Sequence, residues 1–115
     1  MIKRKIEREI EVRPNMRGGT GEVTVRHYFK PDDLKARTRL CAELRIPPGA
    51  GIGTHEHTGE DEIYIIQNGR GKMTDGDQDI DIEAGDAIVT GGGSSHSIRN
   101  NGTEDLIVTA VIILY

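Results

Sequence analysis

The sequence predicts a single all-β domain, an antiparallel sandwich or barrel. Short runs of β-forming residues recur along the 115-residue chain, and turn dipeptides such as Asn68-Gly69, Asp75-Gly76 and Asn101-Gly102 separate them. No segment sustains a helical period with caps; Ile6 and Ile10 hint at one in the N-terminal arm. Fifteen glycines and four prolines supply the frequent punctuation that many short strands need. The length suits one core, so residues 1–20 read as an arm packing on the barrel or on a partner subunit, and 21–115 as the barrel.

The elements follow in order. Glu22 to Phe29 is rich in β-formers. Leu40, Ala42, Leu44 and Ile46 alternate with Cys41, Glu43 and Arg45, the period-2 pattern of a half-buried strand. Pro47-Pro48-Gly49 ends it, because proline cannot donate to a ladder. Glu62 to Gln67 is the next strand, and Asn68-Gly69 signals a two-residue hairpin with positive φ at both residues. Lys72 to Thr74 returns, Asp75-Gly76 turns, and Ile80 and Ile82 alternate with Asp79 and Asp81. After a turn at Ala84-Gly85 come a strand over Ala87 to Thr90, a loop at Gly91-Gly92-Gly93 and a strand over His96 to Arg99. Leu106 to Tyr115 closes the chain.

Composition excludes several classes. The net charge of −4 carries no nucleic-acid footprint. The longest apolar stretch, Leu106 to Leu114, contains Thr109 and is too short for a bilayer, and no apolar leader follows Met1. Cys41 stands alone, so there is no intramolecular disulfide, and a half-buried strand thiol in a reducing, cytoplasmic compartment is expected. Ile63 to Ile66 and Val108 to Leu114 are apolar on both faces. A barrel wall has one inner face, so the outer apolar residues predict a covered surface and hence a homodimer.

Three of the four histidines fall in one short frame. His55 and His57 are two apart, and on a strand both imidazoles point to one face while Glu56 points away. His96 arrives from a later strand. Of the neighbouring Glu60, Asp61 and Glu62, the last opens the β-rich run and shares a face with Tyr64 and Ile66; Glu60 and Asp61 are expected at the solvent rim. Three neutral imidazoles and one carboxylate suit a borderline divalent ion, namely manganese, iron, nickel, cobalt or zinc. The site would carry about +1 and, in a six-coordinate ion, keep two positions open for water or ligand.

Gly49, His55, His57, Glu62 and Gly69 match the first motif of the cupin superfamily, and Gly85, Gly93, His96 and Asn100 match the second, with Gly91 in place of the usual proline. The chain thus resembles small single-domain cupins over roughly Gly49 to Asn100. The resemblance implies an antiparallel jelly-roll β-barrel, commonly dimeric, with the metal inside its mouth. The Met16 to Gly21 opening and the Gly91 to His96 run are similar to an oxalate-decarboxylase-like group. The arginine that holds oxalate in oxalate decarboxylases corresponds to Ile52 here, and Ala50 to Thr54 contains no arginine. Arg17, Arg26 and Arg99 are the alternatives for reaching the cavity.

A metalloenzyme acting on a small oxygen-rich molecule, such as a carboxylic or keto acid, is the expected function, by decarboxylation, isomerisation or dioxygen-dependent cleavage. Tyr64 is the in-face candidate for a catalytic proton donor or acceptor. His27 reads as an exposed or hydrogen-bonded strand histidine. Ser94 and Ser95 adjoin His96, but a ligating imidazole cannot serve them as base. The glycine loops at 18–21 and 91–93 open no helix after a strand, so they read as tight turns, not phosphate cradles. The alternative function is a non-catalytic cupin that binds or senses an organic acid or sugar.

Overall fold

Alternation is what the chain builds with. In the strand Thr38–Ile46, Leu40, Ala42, Leu44 and Ile46 are buried on one face. Glu43 breaks the pattern by being buried on the other face, where Arg8 and Arg45 cover its carboxylate at 3.4 and 3.2 Å. The computed structural model describes residues 1–115. Its strands are β1 (Ile10–Pro14), β2 (Glu22–His27), β3 (Thr38–Ile46), β4 (Gly51–Glu56), β5 (Glu60–Asn68), β6 (Arg70–Asp75), β7 (Gln78–Glu83), β8 (Ala87–Gly91), β9 (Ser95–Arg99) and β10 (Leu106–Leu114).

They form two antiparallel sheets. The larger runs β1-β2-β3-β10-β5-β8 and the smaller β4-β9-β6-β7. Val25, Leu44, Ile66, Leu106 and Val108 from the larger sheet meet Ile52, Met73, Ile82 and Ile98 from the smaller in one core. This is the sandwich-like closure of an all-β single domain.

The turn at Asn68-Gly69 is not a hairpin. β5 and β6 lie in different sheets, so the chain crosses between layers there. Only Gly69 takes a positive φ, at 81°. Asn68 stays in its strand and donates its side-chain N–H to Asp105 O at 2.9 Å. A Cβ on Gly69 would press to 2.6 Å from the same carbonyl, so glycine is required. Asp75-Gly76 does make a hairpin, pairing Asp75 with Gln78.

The N-terminal segment contributes structure of its own. The residues of β1 pair with β2 at the edge of the larger sheet. The hint of helix around Ile6 reduces to a 3₁₀ turn over Lys5–Glu7 with no buried residue, and Ile6 is 93% exposed. A second 3₁₀ turn, Met16–Gly18, lies against the barrel with Met16 packed on the core.

Asn100 pins the two sheets together. It is 2% exposed; Nδ2 donates to Ile46 O at 2.8 Å and Glu104 O at 2.7 Å, and Oδ1 accepts from Gly102 N–H at 2.9 Å. The outer face of the larger sheet keeps apolar side chains in the open, with Ile65 and Ile113 each 40% and Val89 66% exposed. No helix is long and apolar enough to cross a membrane.

Candidate metal centre

The four predicted donors converge. His55 lies on β4 directly opposite His96 on β9. His57 follows the last residue of β4. Its N–H donates to Ser94 O at 3.0 Å and its carbonyl accepts from Gly93 N–H at 2.8 Å, which ties it to the glycine loop. Glu62 reaches across from β5 in the other sheet. His57 and His96 are 1% exposed and Glu62 is 4% exposed.

The imidazoles are oriented from behind. His55 Nδ1–H donates to Gly53 O at 2.7 Å, and His57 Nδ1–H donates to Glu60 Oε1 at 2.7 Å. Each bond fixes the tautomer that turns an Nε2 lone pair to the centre. His96 Nε2 lies 3.0 Å from both His57 Nε2 and His55 Nε2. Glu62 Oε1 lies 3.0 Å from His57 Nε2 and His96 Nε2 and 3.9 Å from His55 Nε2. It is buried and accepts no hydrogen bond.

Lone pairs converging this closely repel one another unless a cation sits among them. Two donors at right angles about an ion, each about 2.1 Å away, sit about 3.0 Å apart, against about 3.4 Å at a tetrahedral angle. The four 3.0 Å separations fit the right-angled arrangement, and His55 Nε2 and Glu62 Oε1, at 3.9 Å, stand wider apart. The donor set and its geometry therefore fit a metal, and these four residues could hold one. Without a metal, burial works against the Glu62 carboxylate, yet imidazoles that carry protons toward it prevail and bring its pKa down to about 2.

Glu60 corrects the sequence reading. It was expected at the solvent rim but is 7% exposed, on the inner face with Glu62 and Tyr64. Arg39 clamps it through Nη2 to Oε1 at 2.6 Å and Nε to Oε2 at 3.0 Å. That guanidinium holds the Glu60 pKa at about 2, with His57 assisting against burial. The alternation that chose Glu62 also places Glu60, two residues earlier, on the same face; that was the available signal.

Tyr64 is 2% exposed, and its ring stacks on His96 at 5.2 Å between centroids. Burial, then the nearby Glu62 charge, pushes its phenol well above its ordinary pKa, so it stays protonated at neutral pH. A cavity of ≈ 660 Å³ opens beside the cluster. Its lining includes His55, His57, Glu62 and Tyr64 together with Glu11, Arg13, Arg17, His27 and Lys30.

His27 is the hydrogen-bonded strand histidine of the two alternatives, not the exposed one. It is 6% exposed within this cavity, and its Nε2 bonds Glu11 Oε1 at 2.5 Å. That contact is the main cause of the lowered Glu11 pKa. Arg17 reaches the cavity; Arg26 and Arg99 line other grooves on the outer surface. Glu11, Arg13, Lys30 and Arg39 are the site residues that the sequence did not single out. Cys41 is half-buried as expected, with burial raising its thiol pKa.

Comparison with known proteins adds the following. The family described as "Cupin domain" matches residues 42–112. An "Oxalate-binding protein" of Thermotoga maritima is 45% identical over 114 residues, 99% of this chain and 94% of that protein. A crystal structure described as a predicted oxalate decarboxylase, also from Thermotoga maritima, superposes with a TM-score of 0.95 at 44% identity and full coverage of both chains. The polyketide cyclase RemF of Streptomyces resistomycificus shares the fold, with a TM-score of 0.79 at 19% identity over 99% of this chain and 80% of that one.

Proposed function

This chain belongs to the cupin family, and on that premise we propose that it is a divalent-metal-dependent enzyme acting on a small carboxylic or keto acid. His55, His57, Glu62 and His96 would hold the ion. The observation that carries this reading is the convergence of four donors, His96 Nε2 lying 3.0 Å from both other imidazoles and Glu62 Oε1 3.0 Å from His57 and His96, with the His55 and His57 tautomers fixed from behind. Manganese, iron, nickel, cobalt and zinc all accept such a set. When bound, the ion would act as a Lewis acid toward a carboxylate or keto oxygen.

The chain's own groups would handle binding and protons. Tyr64, held protonated, can donate a hydrogen bond to the ligand but cannot take its proton at neutral pH. His27, braced by Glu11, has the carboxylate–imidazole arrangement of a general acid–base. Decarboxylation and isomerisation each need one proton moved on the ligand, which that pair can supply. A dioxygen-dependent cleavage is the third reaction type that such a site accommodates.

A second reading is a binding or sensing protein that does not turn its ligand over. The 45% identical relative is described as an oxalate-binding protein, which favours it. Incubating protein loaded with manganese or ferrous iron with oxalate, keto acids, hydroxy acids and sugars separates the two. Product formation supports the enzyme; binding without product supports the sensor.

The apolar outer face of the larger sheet supports a homodimer, with Ile65, Val89 and Ile113 exposed on it. A cytoplasmic location fits the lone, half-buried Cys41.

A further inference from the structure

The family match begins at residue 42, whereas the lining of the cavity beside the donors comes largely from residues before it. That lining carries Arg13, Arg17, Lys30 and Arg39 against two carboxylates, Glu11 and Glu62, in a chain whose net charge is −4. Positive charge is thus concentrated in the cavity of an acidic protein, which favours anionic ligands there.

The four cations are not equivalent. Arg39 is clamped on Glu60. Arg13 bonds Glu11 at 3.3 Å, and Lys30 lies 3.3 Å from Glu9. Arg17 has no ion pair or side-chain hydrogen bond within the chain, though it lines the cavity.

Its backbone is held in place. Asn15 and Arg17 adopt left-handed φ values of 49° and 54°, the only non-glycine residues to do so. Such conformations persist only where the surroundings enforce them, and they cluster at ligand clamps. Here Asn15 N–H donates to Gly21 O, and Gly51 N–H to Thr20 O, each at 2.9 Å. A Cβ on Gly53 would overlap the Arg17 carbonyl, so the loop seats backbone to backbone on β4, the strand that carries His55.

We infer that Arg17 is the specificity-determining residue of this site, recognising a second negative charge on a small dicarboxylate whose other end faces the histidine cluster. It would do from the N-terminal loop what no arginine between residues 50 and 54 can do. This rests on the reading above that the cluster holds a metal and the cavity takes a carboxylic acid.

Oxalate and oxamate make the test, since they share size and differ by one charge. Their dissociation constants are measured by calorimetry on manganese-loaded wild type, Arg17→Gln and Arg17→Lys. Loss of one charge-assisted contact should weaken oxalate binding about 10- to 100-fold in Arg17→Gln. Manganese affinity and melting temperature should hold, the preference for oxalate over oxamate should shrink, and Arg17→Lys should recover part of it. Unchanged oxalate affinity in Arg17→Gln, or equal weakening of both ligands, overturns the inference and leaves the function standing. A manganese-loaded wild type that binds neither ligand overturns both.

Discussion

Glu60 Oε1 lies 2.7 Å from His57 Nδ1, so one buried carboxylate fixes the tautomer and the aim of a candidate metal ligand. Arg39 holds that carboxylate in turn, which makes a chain from the cavity mouth to the donor cluster. Partners of this kind typically change metal affinity about 10- to 100-fold when removed. Glu60→Ala should weaken manganese binding by that amount while leaving the sheet structure intact. Calorimetric titration and circular dichroism check it; wild-type affinity in the variant would leave the bond without a role in metal binding.

The same group sets an acid limit on the metal-free protein. The Glu60 pKa of about 2 lies below the ordinary 4.5 because the folded state favours the carboxylate. A depressed pKa contributes stability that is complete above pH 4.5 and lost as pH falls toward 2. Metal-free wild type should therefore lose melting temperature steeply over that window. Glu60→Gln, which cannot ionise, should start lower and change less. Parallel curves for the two proteins would contradict the assignment.

Tyr64→Phe removes a buried hydroxyl and keeps the ring stacked on His96. Metal affinity should hold, and oxalate affinity or turnover should fall about tenfold, the size of one hydrogen bond lost to a charged ligand. Loss of metal from this variant would give Tyr64 a different role.

Much of this was legible from the sequence and some was not. Alternation placed His55, Glu62 and Tyr64 correctly because a strand fixes its faces locally. The same rule, carried two residues back, finds Glu60. The misread hairpin at Asn68-Gly69 shows the opposite limit. Turn dipeptides report local backbone preference, whereas the choice between pairing and crossing depends on Asp105 and Leu106, which pack there from a distant part of the chain. The part of the cavity lining that β1 and β2 supply was invisible for a related reason. Glu11, Arg13 and His27 come together only when β1 pairs with β2 at the edge of the larger sheet.

Asn100 explains the last residue of the second motif without invoking the metal. Its three hydrogen bonds join the end of β9 to β3 and the following turn. Asn100→Ala should leave the buried Ile46 carbonyl without this partner, at about 1–3 kcal/mol, and expose two part-buried groups, Glu104 O and Gly102 N–H, to solvent. Chemical denaturation should show this as a lower midpoint at unchanged slope. A midpoint equal to wild type would show that the turn finds other partners.

The exposed apolar face of β5, β8 and β10 predicts dimers at micromolar concentration, and Val89→Lys should dissociate them. Light scattering reads both; a monomeric wild type removes the dimer.

The central claim is that His55, His57, Glu62 and His96 hold one divalent ion. Elemental analysis after manganese loading and desalting, on wild type and His57→Ala, tests it most directly. The account predicts about one ion per wild-type chain and little in the variant, with the metal raising wild-type stability by about 2.7 kcal/mol at a free concentration 100 times Kd. Equal occupancy in both proteins, or none in wild type, would contradict it.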